Sequence, residues 1–306
     1  MEALKEGARA ELANLDGMGG AISAIDYMKG RLVESNSERL NRIEAGETIV
    51  VGVNKWQQGE ASPLMTGDGG IMVVDPAVEA EQISRLDAWR AERDDAAVAA
   101  ALAELRAAAA EGRNVMEPSI AAAKAGVTTG EWAAQMRSVY GEYRGPTGVS
   151  GSPSNKTEGL DDIRDAVDAV SDKLGRRLKF LVGKPGLDGH SNGAEQIAVR
   201  ARDCGMDISY EGIRLTPSEI VAAVQEDDAH VLGLSILSGS HIPLVEDLMT
   251  LMRDAGLGHV PVIVGGIIPD EDAERLRAMG VARVYTPKDF ELNTIMMDIV
   301  TLADPK

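Results

Sequence analysis

The chain has 306 residues, 44% hydrophobic and 26% charged, which is enough for one large or two ordinary domains. Its formal net charge of -18 disfavours nucleic acid and anionic membrane surfaces as partners, because both carry negative charge. A single cysteine, Cys204, excludes a disulfide framework, and the sequence contains neither a signal-peptide pattern nor an apolar run of membrane length, so we expect a cytoplasmic protein.

The N-terminal part of the chain is predicted to be mostly helical. Apolar residues at helical spacing predict a helix over 21–45, and a short strand is expected over 49–54. Alanine-rich sequence predicts helices over 78–111 and 117–143. The stretch 145–156 is small and polar, with two prolines and three glycines, and is predicted to be a linker.

After this linker, five apolar segments alternate with helical ones. Continuously apolar strands separated by helices are typical of a parallel sheet that is covered on both faces. The sequence therefore predicts a flavodoxin-like, doubly wound α/β domain with five parallel strands, whose ligands bind at the carboxyl ends of the strands. The predicted strands cover 178–183, 207–212, 230–236, 260–266 and 282–286, and the predicted helices cover 194–204, 216–226, 243–255, 270–279 and 290–302.

The loop after the first predicted strand, "GKPGLDGHSNG", therefore lies where this architecture binds ligands. Its glycines Gly186, Gly189 and Gly193 do not have the G-x-G-x-x-G spacing of a dinucleotide site. A phosphate-accepting receiver domain shares the fold, but it needs an aspartate at the end of the third strand, where this chain has "SIL" at 235–237.

The histidine of this loop is a candidate metal ligand. Asp188 stands two residues before His190 and could orient the imidazole, while Lys184 could keep the carboxylate ionised. A bare zinc ion needs three or four protein ligands, so one histidine is sufficient only where a macrocycle supplies the others. His241 is a candidate second ligand, although a histidine in such a position is more often exposed to solvent.

Three elements of the C-terminal part form a known pattern, D-x-H-x-x-G, then S-x-L, then G-G. Here they are "DGHSNG" at 188–193, "SIL" at 235–237 and "GG" at 265–266. In these elements the domain resembles the cobalamin-binding domain of the cobalamin-dependent mutases and methyltransferases. The resemblance implies a bound cobalamin.

The resemblance also implies a role for each matching residue. His190 would bind cobalt in place of the cofactor's own dimethylbenzimidazole, with Asp188 and Lys184 behind it. The displaced nucleotide tail would enter a slot between the sheet and the first helix, where Ser235 would hydrogen-bond the benzimidazole. We expect no catalytic residue in this chain. The implied cofactor-binding residues are Lys184, Asp188, Gly189, His190, Ser191, Asn192, Gly193, Ser235, Leu237, Gly239, Gly265, Gly266, Tyr285 and Thr286.

The N-terminal sequence "GGAISAIDYMKGRLVESNSERLNRIEAGETIVVGVNKW" resembles the end of the substrate barrel in acyl-CoA mutases. This segment, "YRGPTGVSGS" and the "DGHSNG" form of the loop are similar to the ethylmalonyl-CoA branch of that family. We therefore expect a remnant of a (β/α)8 barrel over 1–75, a helical linker region over 76–156 and the cobalamin-binding domain over 157–306.

This resemblance implies an isomerase that interconverts (2R)-ethylmalonyl-CoA and (2S)-methylsuccinyl-CoA through a 5′-deoxyadenosyl radical, with adenosylcobalamin as cofactor. A methylmalonyl-CoA mutase-type module and a corrinoid methyl-carrier protein are the alternatives. The acyl-CoA would bind through the rest of the barrel, so the chain alone is expected to be inactive. The complete enzyme is expected to be a homodimer.

Overall fold

The computed structural model describes residues 1–58, 75–149 and 160–305. Its helices are α1 (Glu2–Gly17), α2 (Ile25–Glu44), α3 (Pro76–Glu92), α4 (Asp95–Ala110), α5 (Met116–Ala125), α6 (Thr129–Tyr140), α7 (Asp161–Leu174), α8 (Asn192–Asp203), α9 (Pro217–Glu226), α10 (His241–Asp254), α11 (Asp270–Ala278) and α12 (Leu292–Ala303). Its strands are β1 (Lys179–Gly183), β2 (Asp207–Tyr210), β3 (Val231–Ile236), β4 (Val262–Gly266) and β5 (Arg283–Tyr285).

The chain forms two compact units. One comprises Met1–Gly59 and Gly145–Lys306 and contains the sheet, whereas the other, Glu60–Arg144, contains α3 to α6. The division into three regions predicted from the sequence stays a prediction. Within the described ranges, no helix is both long enough and apolar enough to cross a membrane.

The sheet is entirely parallel, with strand order β2-β1-β3-β4-β5. Alternate side chains of β1 point to opposite faces: Phe180 and Val182 join the apolar core under α7, α8 and α12, whereas Leu181 joins the core under α9, α10 and α11. The prediction of a flavodoxin-like doubly wound domain is confirmed, and its five strands lie within or beside the predicted ranges. All five carboxyl ends therefore lie at one edge.

Helix α7 was missed in the sequence. Its buried residues Ile163, Val167 and Val170 recur every three or four positions, which is the spacing of one helical face. This signal was present in the sequence, next to the predicted linker.

The predicted strand over 49–54 is wrong. The Asn54 amide donates to the carbonyls of Ile43 and Thr48, each at 2.8 Å, and its oxygen accepts from the amide of Val50 at 2.8 Å. These side-chain bonds occupy backbone groups that a strand would pair with a neighbour, and they fold the segment into turns that close α2.

The two long helices predicted over 78–111 and 117–143 are each interrupted. Asp94 accepts hydrogen bonds from the amides of Ala96 and Ala97 and so begins a new helix, α4. Gly126 has φ of 93°, which ends α5, and Thr128 then forms a capping box with Glu131 that begins α6. Apolar spacing alone did not reveal these capping residues.

Helix α2 packs along α8 through a seam of polar contacts. Ser37 donates to the side-chain oxygen of Gln196 at 2.7 Å, and Lys29 lies 2.7 Å from the buried carboxylate of Glu195. The guanidinium of Arg200 contacts Glu44 at 2.8 Å. The N-terminal segment is thus fixed to the helix that follows β1, at the edge where ligands are expected.

Candidate functional site

The loop between β1 and α8 is held in place by the segment before α9. The backbone amide of Gly186 donates to the carbonyl of Leu215 at 2.9 Å, and the amide of Leu215 donates to the carbonyl of Lys184 at 3.1 Å. Gly186 has φ of 81°, a left-handed conformation that favours glycine. The residues that follow therefore leave the sheet in a fixed direction.

Asp188 joins three parts of the site through its carboxylate. Oδ2 accepts from Nζ of Lys184 at 2.8 Å and from the amide of Leu237 at 3.1 Å. Oδ1 accepts from the amide of His190 at 3.0 Å and lies 2.6 Å from its Nδ1. The carboxylate thus ties the end of β1, the end of β3 and the histidine together.

The Asp188 side chain is only 4% exposed, and burial by itself would raise its pKa. The hydrogen bonds from Lys184, His190 and Leu237 have the opposite effect and prevail, so the pKa of Asp188 lies well below its ordinary value. Asp188 is therefore an anion at neutral pH, and it acts as a hydrogen-bond acceptor only.

An ionised Asp188 fixes the tautomer of His190. Since the carboxylate can only accept, Nδ1 of His190 carries the proton, and Nε2 of the neutral ring keeps its lone pair. The side chain is 78% exposed, which leaves this nitrogen accessible at the rim of the sheet. The arrangement suits a metal that approaches from outside the protein.

A cavity of about 440 Å³ opens next to this loop, between the sheet, α8 and α12. Phe180 and Val182 of β1 and Ile263 of β4 line it on the sheet side, and Ile197 and Ile295 line it from the helices. Its volume is within the range of sites for small organic ligands, and its walls are mostly apolar.

Two glycines keep this cavity open, and a third is required by the sheet that lines it. A Cβ atom on Gly193, at the start of α8, would lie 4.0 Å from Oγ of Ser235, and one on Gly265 would lie 4.0 Å from the carbonyl oxygen of Leu234. At Gly266 a Cβ atom would lie 1.8 Å from the carbonyl oxygen of Ile236, so this glycine is required by the pairing of β3 with β4.

The structure brings most of the predicted site residues to this edge. The cavity is lined by eight of them: Asn192, Gly193, Ser235, Leu237, Gly265, Gly266, Tyr285 and Thr286. The loop beside the cavity contains five more: Lys184, Asp188, Gly189, His190 and Ser191. Gly239 is different: it does not line the cavity, and nothing lies within 4 Å of a Cβ atom built on it. The binding roles of these residues stay predictions.

Tyr285 is partly engaged by the protein itself. Its hydroxyl donates to the Asp298 carboxylate at 2.8 Å, and burial together with this carboxylate raises the pKa of the phenol. The phenol therefore stays protonated and fixes the edge of the cavity at β5.

His241 does not have the exposure expected for it. It is buried at the start of α10, with Nε2 2.9 Å from the Asp272 carboxylate and Nδ1 3.3 Å from the carbonyl of Ser238. Both ring nitrogens have partners within the protein, so the His241 side chain links α10 to α11 and is not available to a metal.

Sequence reasoning missed the contribution of α2. Asn36, Arg39 and Leu40 lie on one helical face and line the cavity. Their spacing predicted an amphipathic helix, but nothing local in the sequence says which cavity this face covers.

These residues fit a cobalamin. Within the described ranges, no group of three or more histidine, cysteine, aspartate or glutamate side chains could hold a bare metal ion. The site instead offers one accessible imidazole nitrogen beside an apolar slot, which matches a macrocycle that brings its own equatorial ligands and a long organic tail.

Comparisons with known proteins agree with this geometry. A family model described as methylmalonyl-CoA mutase matches residues 1–142, and one described as B12 binding domain matches residues 178–289. The ethylmalonyl-CoA mutase of Cereibacter sphaeroides is 72% identical over 99% of this chain and 46% of its own length. That of Methylorubrum extorquens is 56% identical over 99% of this chain and 44% of its own length. The methylmalonyl-CoA mutase of Cereibacter sphaeroides is 35% identical over 93% of this chain and 40% of its own length.

The parallel sheet, the histidine loop and the matching model define a B12-binding domain in the C-terminal part of this chain. Residues 1–142 match the model described as methylmalonyl-CoA mutase, and the chain as a whole is similar to the C-terminal portion of ethylmalonyl-CoA mutases. The resemblance noted in the sequence is thereby confirmed, and the predicted adenosylcobalamin cofactor is supported. The chain spans less than half the length of these curated relatives.

Proposed function

We propose that this chain binds adenosylcobalamin and that Nε2 of His190 would be the protein's ligand to cobalt. The observation that carries this proposal is the Asp188–His190 contact of 2.6 Å, which fixes the proton on Nδ1 and leaves Nε2 exposed at the rim. Adenosylcobalamin supplies, when bound, an organic radical that can abstract a hydrogen atom.

The chain's own residues orient and support the ligand. Lys184, whose side chain is fully buried, keeps Asp188 ionised, and Asp188 in turn holds the imidazole in one tautomer and one direction. Leu187, 91% exposed in the same loop, and Ile267, 62% exposed after β4, present apolar surface at the rim. An apolar face of this kind is suited to contact with a macrocycle.

The apolar cavity would accept the displaced nucleotide tail. Gly193 lets the tail pass the start of α8, and Gly265 lets it pass β4, because neither has a side chain that would fill the slot. Ser235 offers a hydroxyl beside Gly193 for the heterocycle at the end of the tail.

We further propose that the chain is part of an isomerase that interconverts (2R)-ethylmalonyl-CoA and (2S)-methylsuccinyl-CoA. The proposal rests on the 72% and 56% identity to ethylmalonyl-CoA mutases, against 35% to a methylmalonyl-CoA mutase. The acyl-CoA would bind in the remainder of the substrate barrel, and the complete enzyme would be a homodimer in the cytoplasm.

The activity can be tested by joining this chain to the remaining N-terminal part of the Cereibacter sphaeroides ethylmalonyl-CoA mutase. We expect this chimera to convert ethylmalonyl-CoA to methylsuccinyl-CoA with added adenosylcobalamin. A second chimera, in which the chain is joined to the N-terminal part of the Cereibacter sphaeroides methylmalonyl-CoA mutase, should be much less active on methylmalonyl-CoA, because this chain is only 35% identical to the part that it replaces. The 306-residue chain alone should bind the cofactor and convert neither substrate. The His190→Ala chimera is the matched control for loss of the lower ligand.

Two results would contradict this function. An active chimera with the methylmalonyl-CoA mutase part, together with an inactive chimera with the ethylmalonyl-CoA mutase part, would favour the methylmalonyl branch. Transfer of a methyl group from methylcobalamin to a thiol acceptor would favour a methyl carrier. The mass of the chimera in solution tests the proposed dimer.

A further inference from the structure

Arg39 of α2 lies at the mouth of the cavity and is exposed to solvent. The charged residues that line the cavity are Arg39 and Asp289. The Asp289 carboxylate accepts hydrogen bonds from the amide of Thr286 at 2.7 Å and from its hydroxyl at 3.2 Å. Within the described parts of the chain, Arg39 has no hydrogen bond or ion pair.

Other arginines of the same helix have partners. Arg31 contacts the carboxylate of Glu34 at 2.5 Å, and Arg42 donates to the hydroxyl of Thr48 at 3.3 Å. In a chain with a net charge of -18, a guanidinium that lines an apolar cavity without a carboxylate partner is available for an anion from outside.

The backbone around Arg39 is fixed against α8. Two residues before it, Ser37 donates to Gln196 at 2.7 Å, and two residues after it, Asn41 accepts from the Arg200 guanidinium at 2.9 Å. The backbone that carries Arg39 is therefore held beside the cavity that its side chain lines.

We propose that Arg39, assisted by Asn36 one turn earlier, binds the phosphodiester of the cobalamin nucleotide tail. This inference rests on the proposed cofactor. The tail carries one negative charge, on the phosphodiester that joins the ribose to the aminopropanol arm, whereas the peripheral amides of the corrin are neutral. Arginine pairs with phosphate oxygens through two parallel N–H donors.

The proposed cofactor site therefore contains residues from both parts of the chain that match a family model. Asn36, Arg39 and Leu40 belong to residues 1–142, which match the mutase model, whereas the other lining residues belong to residues 178–289 or lie just beyond them. Helix α2 of the mutase segment thus completes the slot for the tail, in addition to any role in the substrate barrel.

The test compares cobalamin with cobinamide, which retains the corrin and cobalt but lacks the nucleotide and its phosphodiester. Affinities of the 306-residue chain for hydroxocobalamin and diaquocobinamide are measured by absorbance titration. Arg39→Gln should weaken cobalamin binding on the order of tenfold, the effect of losing one charged hydrogen bond, and leave cobinamide binding unchanged. Arg39→Lys should recover part of the loss, and added salt should reduce the difference between wild type and Arg39→Gln.

Arg42→Gln is the matched control, since it removes the same charge from the same helix away from the cavity, and both affinities should stay at wild-type values. Unchanged cobalamin affinity in Arg39→Gln would overturn the assignment of the phosphodiester. An equal loss for cobalamin and cobinamide would also overturn it, because the effect would then not involve the tail. If the wild-type chain bound neither corrinoid, the proposed function itself would fail, which distinguishes the two results.

Discussion

Nζ of Lys184 lies 2.8 Å from Oδ2 of Asp188, and the two side chains are 0% and 4% exposed. Breaking a buried ion pair by removing one partner leaves the other charge uncompensated in the core. We therefore expect Asp188→Asn to lower the free energy of unfolding by about 3 to 5 kcal/mol. Urea denaturation of the chain without cofactor measures this loss.

The double variant Asp188→Asn/Lys184→Met is the control, because it removes both charges and should regain a large part of the stability. The pKa of Asp188 is lowered by folding, so its contribution is present above the ordinary value of 3.8 and is lost as pH falls below it. The difference in stability between wild type and Asp188→Asn should accordingly narrow in acid. A double variant as unstable as Asp188→Asn would contradict the importance of the pair.

His190→Ala should remove the nitrogen ligand from cobalt. Paramagnetic resonance of the Co(II) form, bound to protein with nitrogen-15 histidine, should show coupling from one imidazole nitrogen in the wild type and none in the variant. His259→Ala is the matched control, since His259 is exposed and lies outside the cavity. Coupling that persists in His190→Ala would rule out this residue as the ligand.

Gly193→Leu should abolish cobalamin binding while the fold is retained. The cavity has room beside Gly193, with Ser235 Oγ 4.0 Å from a Cβ atom, and leucine is favoured over glycine in a helix by about 0.8 kcal/mol. The leucine would fill the slot for the tail. Absorbance titration measures binding, and thermal unfolding measures the fold.

Two other glycines separate a loss of binding from a loss of structure. Gly258→Leu should leave binding and stability unchanged, because Gly258 is exposed, lies outside the cavity and has open space around it. Gly266→Ala should destabilise the sheet, because its Cβ atom would collide with the carbonyl of Ile236. Normal cobalamin affinity in Gly193→Leu would show that the tail does not pass this helix.

The sequence predicted the part of this site that depends on strand ends. Asp188, Ser235 and Gly265 follow or close buried apolar runs, and parallel strands necessarily bring such positions to one edge. Arg39 was not predicted, because its place in the cavity depends on how α2 packs along α8. That packing follows from polar contacts across the chain, such as Ser37 with Gln196, which leave no local pattern.

Side-chain hydrogen bonds and helix caps explain why the strand predicted over 49–54 and the two long predicted helices are wrong. The residues 49–54 have the composition of a strand, but the Asn54 side chain takes the backbone partners that the strand would need. Gly126 and Asp94 divide long apolar patterns because capping depends on single residues and not on periodicity.

Cys204 offers a way to measure how the cofactor stabilises α8. Its side chain is buried directly after the last turn of the helix that begins at the cavity, and burial raises the pKa of the thiol to about 11. At pH 8 the folded protein therefore presents a protonated, inaccessible thiol, and alkylation by a maleimide requires opening of the structure. Because the thiolate is disfavoured in the folded state, the free energy of unfolding should also decline as pH rises from 9 toward 11.

A cofactor that binds only the folded state lowers the open population by the factor 1 + [L]/Kd. Labelling of Cys204 should thus slow about a hundredfold when free hydroxocobalamin is about a hundred times its Kd. Mass spectrometry at timed intervals follows the reaction. Gly193→Leu is the control, because a variant that cannot bind should label at the same rate with and without cofactor. If the wild-type chain labelled at the same rate with and without hydroxocobalamin, α8 would open without releasing the cofactor. That result would contradict a cofactor site that includes the first turn of α8.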